Sequence, residues 1–384
     1  MTGAIIIDGG TGRDPGPLQV ARGRILEPTH GDRSVRGSRK VVLITAGWQA
    51  EEFAESHLKE ALYRIGVPPR MPGNQHHNVQ NLSLYWEFEK FCEKEPKLAT
   101  LYSDKQDDVK KTMELYRRSN RMALRQLKAQ LATVQSWFPE WSFAALLDRA
   151  TPHRGRVDDA LGLAAEELSL EFDRIREQDQ WLLDRLARLD RAFLDASKLR
   201  ENKTWLAKRR LLARRIKSAA TLVFYGGHLA VLLNRLHFFD LGPILRESLA
   251  AGATIVARSA GAMALGERVV VYHDEYQDRH HTFELFGRGV GMLPGLLVLP
   301  QHAERIRKGS QDHLAFLARR FPLRACIGLD EGAVLVVDGG DLDRCISLGP
   351  PDSALRFTPE GDERGLQPGE TVFAGASRKV GGPC

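Results

Sequence analysis

Ser259 stands in the string ATIVARSAGAMALG, residues 253–266, between a short apolar run and a series of small residues. Ala-Thr-Ile-Val-Ala reads as a buried strand and Ala-Gly-Ala-Met-Ala-Leu as the first turns of a helix. A serine at that joint sits on a tight strand-to-helix turn, where small neighbours let the backbone bend and leave the hydroxyl uncovered. The N–H groups of the new helix favour negative charge. A nucleophilic serine and a developing oxyanion require that environment. An N-capping serine on an ordinary helix is the alternative reading of the same string.

A serine nucleophile needs a base, and the base needs an orienting acceptor. His302 follows the apolar run LPGLLVL, at the carboxyl end of an expected strand, where sites of open α/β sheets gather. Glu331 follows the short strand ACIGLD and reaches the same edge. The candidate set is therefore Ser259, His302 and Glu331. Its order is not the serine, acid, histidine order of α/β-hydrolases, and Ala257 replaces the first glycine of G-x-S-x-G, which disfavours that fold. Gly226-Gly227 ends another expected strand, TLVFY. One of these glycines, with the Ala260 N–H, forms a candidate oxyanion hole; a plain turn is the alternative. Arg258, Arg305 and Arg307 are candidates for holding a substrate carboxylate, which a guanidinium fork matches bidentately, or else they are solvated.

The elements that must position these residues fall into three zones. Residues 1–75 read as α/β, with strands at AIII (4–7) and KVVLIT (40–45), a charged loop over 22–38 and an amphipathic helix over 50–66. Residues 82–217 are helical, charged and almost free of glycine. Val109, Met113, Tyr116, Asn120, Ala123, Leu127, Gln130, Val134 and Trp137 recur in alternating steps of four and three. Leu161, Ala164, Leu168, Phe172, Ile175, Asp179, Leu182, Leu186, Leu189, Phe193 and Ala196 do the same. This heptad spacing predicts an antiparallel helical hairpin, closed by a third helix from about 201 to 216, with Asn120, Gln130 and Asp179 as polar, register-setting interruptions. Residues 218–384 return to alternating strands and helices. The expected fold is α/β, a mostly parallel sheet covered by helices. The expected domains are a discontinuous α/β hydrolase domain, 1–75 and 218–384, and an inserted all-α hairpin domain, 76–217.

Composition narrows the classes. At 384 residues and 43% hydrophobic the chain can build a large core, and no run approaches the ~20 apolar residues of a membrane helix. MTGAIIIDGG lacks the features of a signal peptide, and Cys92, Cys326, Cys345 and Cys384 are scattered, so a cytoplasmic protein with reduced thiols is expected. No cofactor or metal is expected. IIIDGGTGRDPG lacks both nucleotide-loop spacings, and YHDEYQDRHH (272–281) matches no metal spacing and reads as a loop bordering the site. Residues 76–217 carry 28 Lys/Arg against 22 Asp/Glu, while the rest carries 27 against 27, so the net +6 lies wholly in the helical zone. Its basic stretch 198–217 places Trp205, Leu206, Leu211, Leu212 and Ile216 as an amphipathic helix would, which disfavours nucleic acid as a partner.

FYGGHLAVLL, ATIVARSAGAMALG, GVGMLPGLLVLPQHAERIR and IGLDEGAVLVV resemble, in order and spacing, successive blocks of the cyanophycinase and aspartyl dipeptidase (peptidase E) serine peptidases. The resemblance covers residues 40–75 and 218–340. It implies a class I glutamine-amidotransferase-like fold, with serine in place of the amidotransferase cysteine. It further implies Ser259 as nucleophile, His302 as general base, Glu331 as third member, and Gly227 and Ala260 as oxyanion donors. Aspartyl dipeptidases take the third member from between serine and histidine, which makes Asp274 or Glu275 the alternative. Gly226, His228, Gln301, Arg305 and Arg307 fall at or beside the family's substrate-holding positions. The chain departs there, with Pro300-Gln301-His302-Ala303 where cyanophycinases carry Asp-Gln-His-Phe, and His228-Leu229 where Asn or Asp precedes Gln.

The expected function is a serine hydrolase of peptide or isopeptide bonds, and the resemblance implies a small peptide substrate with an aspartyl or isoaspartyl residue. The alternatives are an inactive binding or scaffold protein that works through its helical arm, and a peptide-processing enzyme of a biosynthetic pathway. The arm itself reads as a homodimerisation element, a lid, or a docking arm for a protein partner. No membrane association is expected.

Overall fold

A computed structural model of the chain describes residues 2–10, 16–70, 77–150, 159–273, 282–306, 309–321, 323 and 325–373. β1 (Ala4–Asp8), β2 (Val41–Ile44), β3 (Val79–Asn81), β4 (Thr221–Phe224) and β5 (Thr254–Arg258) run parallel, side by side in the order β1-β5-β4-β2-β3. Their apolar residues alternate between two cores. Ile5, Ile7, Val42, Ile44, Leu222, Phe224, Ile255 and Ala257 enter one; Ala4, Ile6, Val41, Leu43, Val223 and Val256 enter the other. A sheet covered on both faces needs such continuous apolar strands.

The remaining strands do not extend this sheet as one layer. β6 (Arg268–His273) and β7 (Thr282–Arg288) pair with each other. β8 (Leu296–Pro300) and β9 (Ala325–Leu329) lie parallel in a second sheet. β10 (Val334–Asp338) and β11 (Cys345–Ser347) return to the first sheet, β10 antiparallel to β1. β12 (Ala354–Phe357) and β13 (Glu363–Gly365) complete the second, in the order β13-β12-β9-β8. β9 and β10 are consecutive in the chain but serve different sheets. The four-residue turn 330–333 carries the chain between them.

Helices cover the sheets. α1 (Gly16–Val20) precedes the region 22–38 expected as a loop, and α2 (Arg22–Leu26) and α3 (Arg33–Ser38) occupy it. Buried Ile25 anchors α2, and Asp32 caps α3 through the Ser34 N–H at 2.8 Å. α4 (Ser56–Arg64) starts later than expected, because Ala46–Glu51 forms a 3-10 turn kinked at Gln49. α5 (Leu84–Lys94), α6 (Pro96–Trp137), α7 (Phe143–Arg149), α8 (Ala160–Ser197) and α9 (Lys203–Lys217) make up the helical zone. α10 (Leu229–Phe238) and α11 (Gly242–Ala250) are separated at Asp240, whose φ is 48°. α12 (Ala260–Leu265) follows Ser259, and α13 (His302–Arg305) and α14 (Gln311–Arg320) follow β8.

α6 and α8 are the two heptad helices. Tyr116 bonds Asp179 and Gln126 is bonded to Glu171, so the pair runs antiparallel. Met113, Tyr116, Ala123, Leu127 and Val134 meet Leu168, Phe172, Ile175 and Leu182 in the seam, while Trp137 at the end of α6 is exposed. Asn120 and Asp179 are buried for a reason beyond register. Arg320, the last residue of α14, is itself buried and donates to Asp179 (Nε 2.8 Å, Nη2 2.8 Å), Tyr116 (3.0 Å), Asn120 (3.1 Å) and the Phe283 carbonyl (2.8 Å). The hairpin thus lies along the α/β body, tied to it by a satisfied polar cluster. Tyr102, Phe193 and Trp205 also join the sheet's core. Within the stretch 76–217 expected as the insertion, β3 belongs to the main sheet, and Leu84, Phe91, Leu212 and Ile216 of α5 and α9 share the sheet's core.

Candidate active site

Ser259 joins β5 to α12 with φ 51° and ψ −122°. That is the first central position of a type II′ turn, which glycine takes freely and which costs another residue about 1–3 kcal/mol. Strong neighbours hold the serine there. Its N–H donates to the Asp8 carbonyl at 2.9 Å, and its carbonyl accepts from Ala262 and Met263. Asp8 also pairs with Arg258 at 2.9 Å. The Arg258 guanidinium is buried and donates further to the Gly10 carbonyl (2.9 Å) and the Tyr225 hydroxyl (3.0 Å). Arg258, a sequence candidate for a substrate carboxylate, is therefore a brace of the serine turn. Asp8 and Tyr225 went unnoticed in the sequence. The one signal for Asp8 was its place at the end of the first strand.

Gly226 lies against this turn so closely that a Cβ there would stand 3.1 Å from the Ser259 Cβ and 3.3 Å from the Ala260 nitrogen. Gly227 has φ +121°, and a Cβ would meet the Gly47 backbone at 2.8 Å. Gly227 is demanded by its φ and by close approach, whereas at Gly226 the approach is only tight. The turn after β4 is thus wedged between the serine turn and the turn after β2. His228 follows, exposed, and caps α10 through the Val231 N–H at 3.4 Å.

His302 opens α13 and is fully buried. Its ring lies where a side chain at Gly328 would be, 2.6 Å from that virtual Cβ, and edge-on to Phe357 at 5.9 Å. Its Nδ1 lies 3.1 Å from Oδ1 of Asp330, which also accepts the Ala303 N–H at 2.9 Å. Glu331, the expected third member, is exposed on the adjacent position. Asp330 was missed, although it adjoins Glu331 in the motif. Gln301 is half-buried with φ 57°, and Arg305 ends α13. Arg307, Asp274 and Glu275, and most of the loop expected to border the site (274–281), lie outside the described residues, as does Cys384.

Main-chain contacts link the serine and histidine turns across the two sheets. The Asp8 carbonyl holds Ser259, Gly9 abuts the Leu329 carbonyl (2.3 Å from the position of a Cβ), and that carbonyl accepts the Gln301 N–H at 2.7 Å. The helix after Ser259 also packs on β8, the strand before His302. Among the described residues no group of three or more His, Cys, Asp or Glu is placed to hold a metal, and no helix is long and apolar enough to cross a membrane.

Residues 177–345 match the model of peptidase family S51. That span holds Ser259, His302, Asp330, Glu331 and the Gly226-Gly227 turn. No curated protein matches the chain. The crystal structure of a peptidase from an acI-B1 Actinobacterium aligns at 16% identity and TM-score 0.47, over 97% of each chain. Over residues 177–345 the chain is therefore similar to peptidase family S51, the cyanophycinase and peptidase E family of serine peptidases.

Proposed function

We propose that this serine peptidase cleaves small aspartyl or isoaspartyl peptides through an acyl-enzyme on Ser259. The observation that carries the reading is the strained backbone of Ser259, braced by Asp8 and Arg258 and backed by Gly226. A serine in a glycine conformation is maintained only where the surroundings over-determine it, as they are arranged to do at active sites.

In this mechanism Ser259 Oγ attacks the scissile carbonyl as His302 removes its proton. The Gly227 and Ala260 N–H groups receive the oxyanion, and His302 returns the proton to the leaving amine. Water then repeats the sequence on the ester. With Nδ1 set towards a carboxylate, Nε2 is the nitrogen for the serine. The imidazolium forms in a buried position, where a counter-charge matters most. Asp330, at 3.1 Å, is the favoured orienting acid, and Glu331 is the alternative.

The acidic substrate is supported by exposed His228 at the start of the ten-residue helix α10, beside the oxyanion turn. A helix start favours anions. His228, Gln301 and Arg305 are the proposed substrate contacts, with Gly226 shaping the floor. No cofactor enters the scheme. A panel of Asp-Leu, isoAsp-Leu and Ala-Leu dipeptides tests the specificity. The acidic members are expected to exceed Ala-Leu in kcat/KM by about tenfold or more, the worth of one charge-assisted contact. Equal rates would remove the acidic preference.

A further inference from the structure

Gln49 shares the backbone of Ser259: φ 58° and ψ −123°, against φ 51° and ψ −122°. Arg39, Ser83, Lys198 and Gln301, at other positive-φ positions, are ordinary left-handed residues with ψ of 32° to 42°. Glycine would relieve the strain at Gln49, and the chain keeps a carboxamide instead. Among the described residues that carboxamide makes no hydrogen bond, and it is exposed. No internal contact of the side chain accounts for the residue.

The surroundings show where it stands. The Gly47 carbonyl accepts the His228 N–H at 2.8 Å, and Gly47 lies against Gly226 and Gly227. Trp48 is fixed by stacking on His57 (centroids 5.6 Å, 19°) and by its edge contact with Tyr225 (5.8 Å), the residue before Gly226. Gln49 thus projects from a rigid turn locked to the proposed oxyanion hole. Strand order gives the side. The His302 turn joins the serine turn on the β1 side, by way of Gly9 and Leu329, whereas Gln49 lies in the turn after β2, beyond β4 on the other flank.

We infer that Gln49 is a specificity-determining contact for the acyl half of the substrate. The inference rests on Ser259 being the nucleophile. The leaving amine must lie on the His302 side to be protonated, so the acyl residue extends towards β4 and β2. A carboxamide offers both an acceptor and donors. Its Oε1 accepts from the substrate's amine, and its Nε2 donates to a carbonyl or carboxylate of the same residue.

The test uses aspartate p-nitroanilide and a fluorophosphonate probe, which lacks the amine and carboxylate of an acyl residue. Gln49→Gly removes both amide and strain; Gln49→Ala removes only the amide. Both are expected to raise KM for the anilide by about tenfold, the loss of one or two hydrogen bonds. Their kcat and fluorophosphonate labelling rate stay near wild type, and only Gln49→Gly raises Tm. An unchanged KM in both variants overturns the inference. So does a wild type that takes the fluorophosphonate but not the anilide, because the aspartyl acyl half is then not recognised. A wild type that takes neither instead overturns the serine reading on which the inference rests.

Discussion

His302 Nδ1 and Asp330 Oδ1 lie 3.1 Å apart, one on a fully buried ring and the other on a carboxylate whose side chain is 26% exposed. The same oxygen accepts the Ala303 N–H, so the carboxylate holds the start of the helix that bears the ring. Asp330→Asn keeps the size but removes the counter-charge and permits the wrong tautomer. We expect kcat/KM to fall about a thousandfold or more, as when a buried triad carboxylate is neutralised. Glu331→Gln, an exposed change, is expected to stay within about threefold. Steady-state kinetics on the best dipeptide decides which acid orients the histidine, and the reverse ranking would restore Glu331.

The Arg320 cluster makes a prediction about folding. Arg320→Met strands Asp179 as an unpaired buried charge between α6, α8 and α14. The expected loss is about 3–5 kcal/mol by urea unfolding. Adding Asp179→Leu is expected to recover part of it, since the two residues share one network. Both variants should still unfold in one transition, because the helical zone shares its core with the sheet. A wild-type-like Arg320→Met would show that the hairpin is held elsewhere.

Gly226→Ala places a methyl 3.1 Å from the Ser259 Cβ. The neighbours need give way only by tenths of an ångström, so the variant is expected to fold with a small change in Tm. Activity should suffer far more, by about a hundredfold in kcat, because a small displacement of the reacting geometry is costly. Parallel Tm and kcat measurements separate the two effects.

The thiols are expected to be bystanders. Burial pushes the Cys92 thiol up to about 11 and Cys345 up to about 12, and raises Cys326 as well. A raised pKa leaves almost no thiolate at neutral pH. Iodoacetamide at pH 7 should therefore leave peptidase activity intact in a Cys384→Ser background, with sensitivity emerging only as pH approaches the raised values. Rapid inactivation at pH 7 would point to a cysteine near the chemistry.

The strand-to-helix turn at Ser259 was legible because an apolar strand, one hydroxyl and a small-residue helix start constrain each other within fourteen residues. The strands β1, β2, β4, β5, β8 and β9 were legible for the same local reason. Partnerships set at long range were not. Asn120 and Asp179 could be seen as interruptions of a heptad seam, but Arg320 lies 141 positions from Asp179 in the chain. Residues 50–66 carry helical periodicity, but Ala46–Glu51 forms a kinked 3-10 segment whose Gly47 lies against Gly226 and Gly227, and α4 begins only at Ser56. Asp330 and Glu331 are adjacent carboxylates, and only the turn after β9 decides which one meets the imidazole.

The central claim is that Ser259 is an activated nucleophile. Labelling with a fluorophosphonate probe, followed by mass mapping of the modified peptide, tests it most directly. The expected result is stoichiometric modification at Ser259, abolished in Ser259→Ala and suppressed in His302→Ala. An unlabelled wild type, or an adduct on any other residue, would contradict the account.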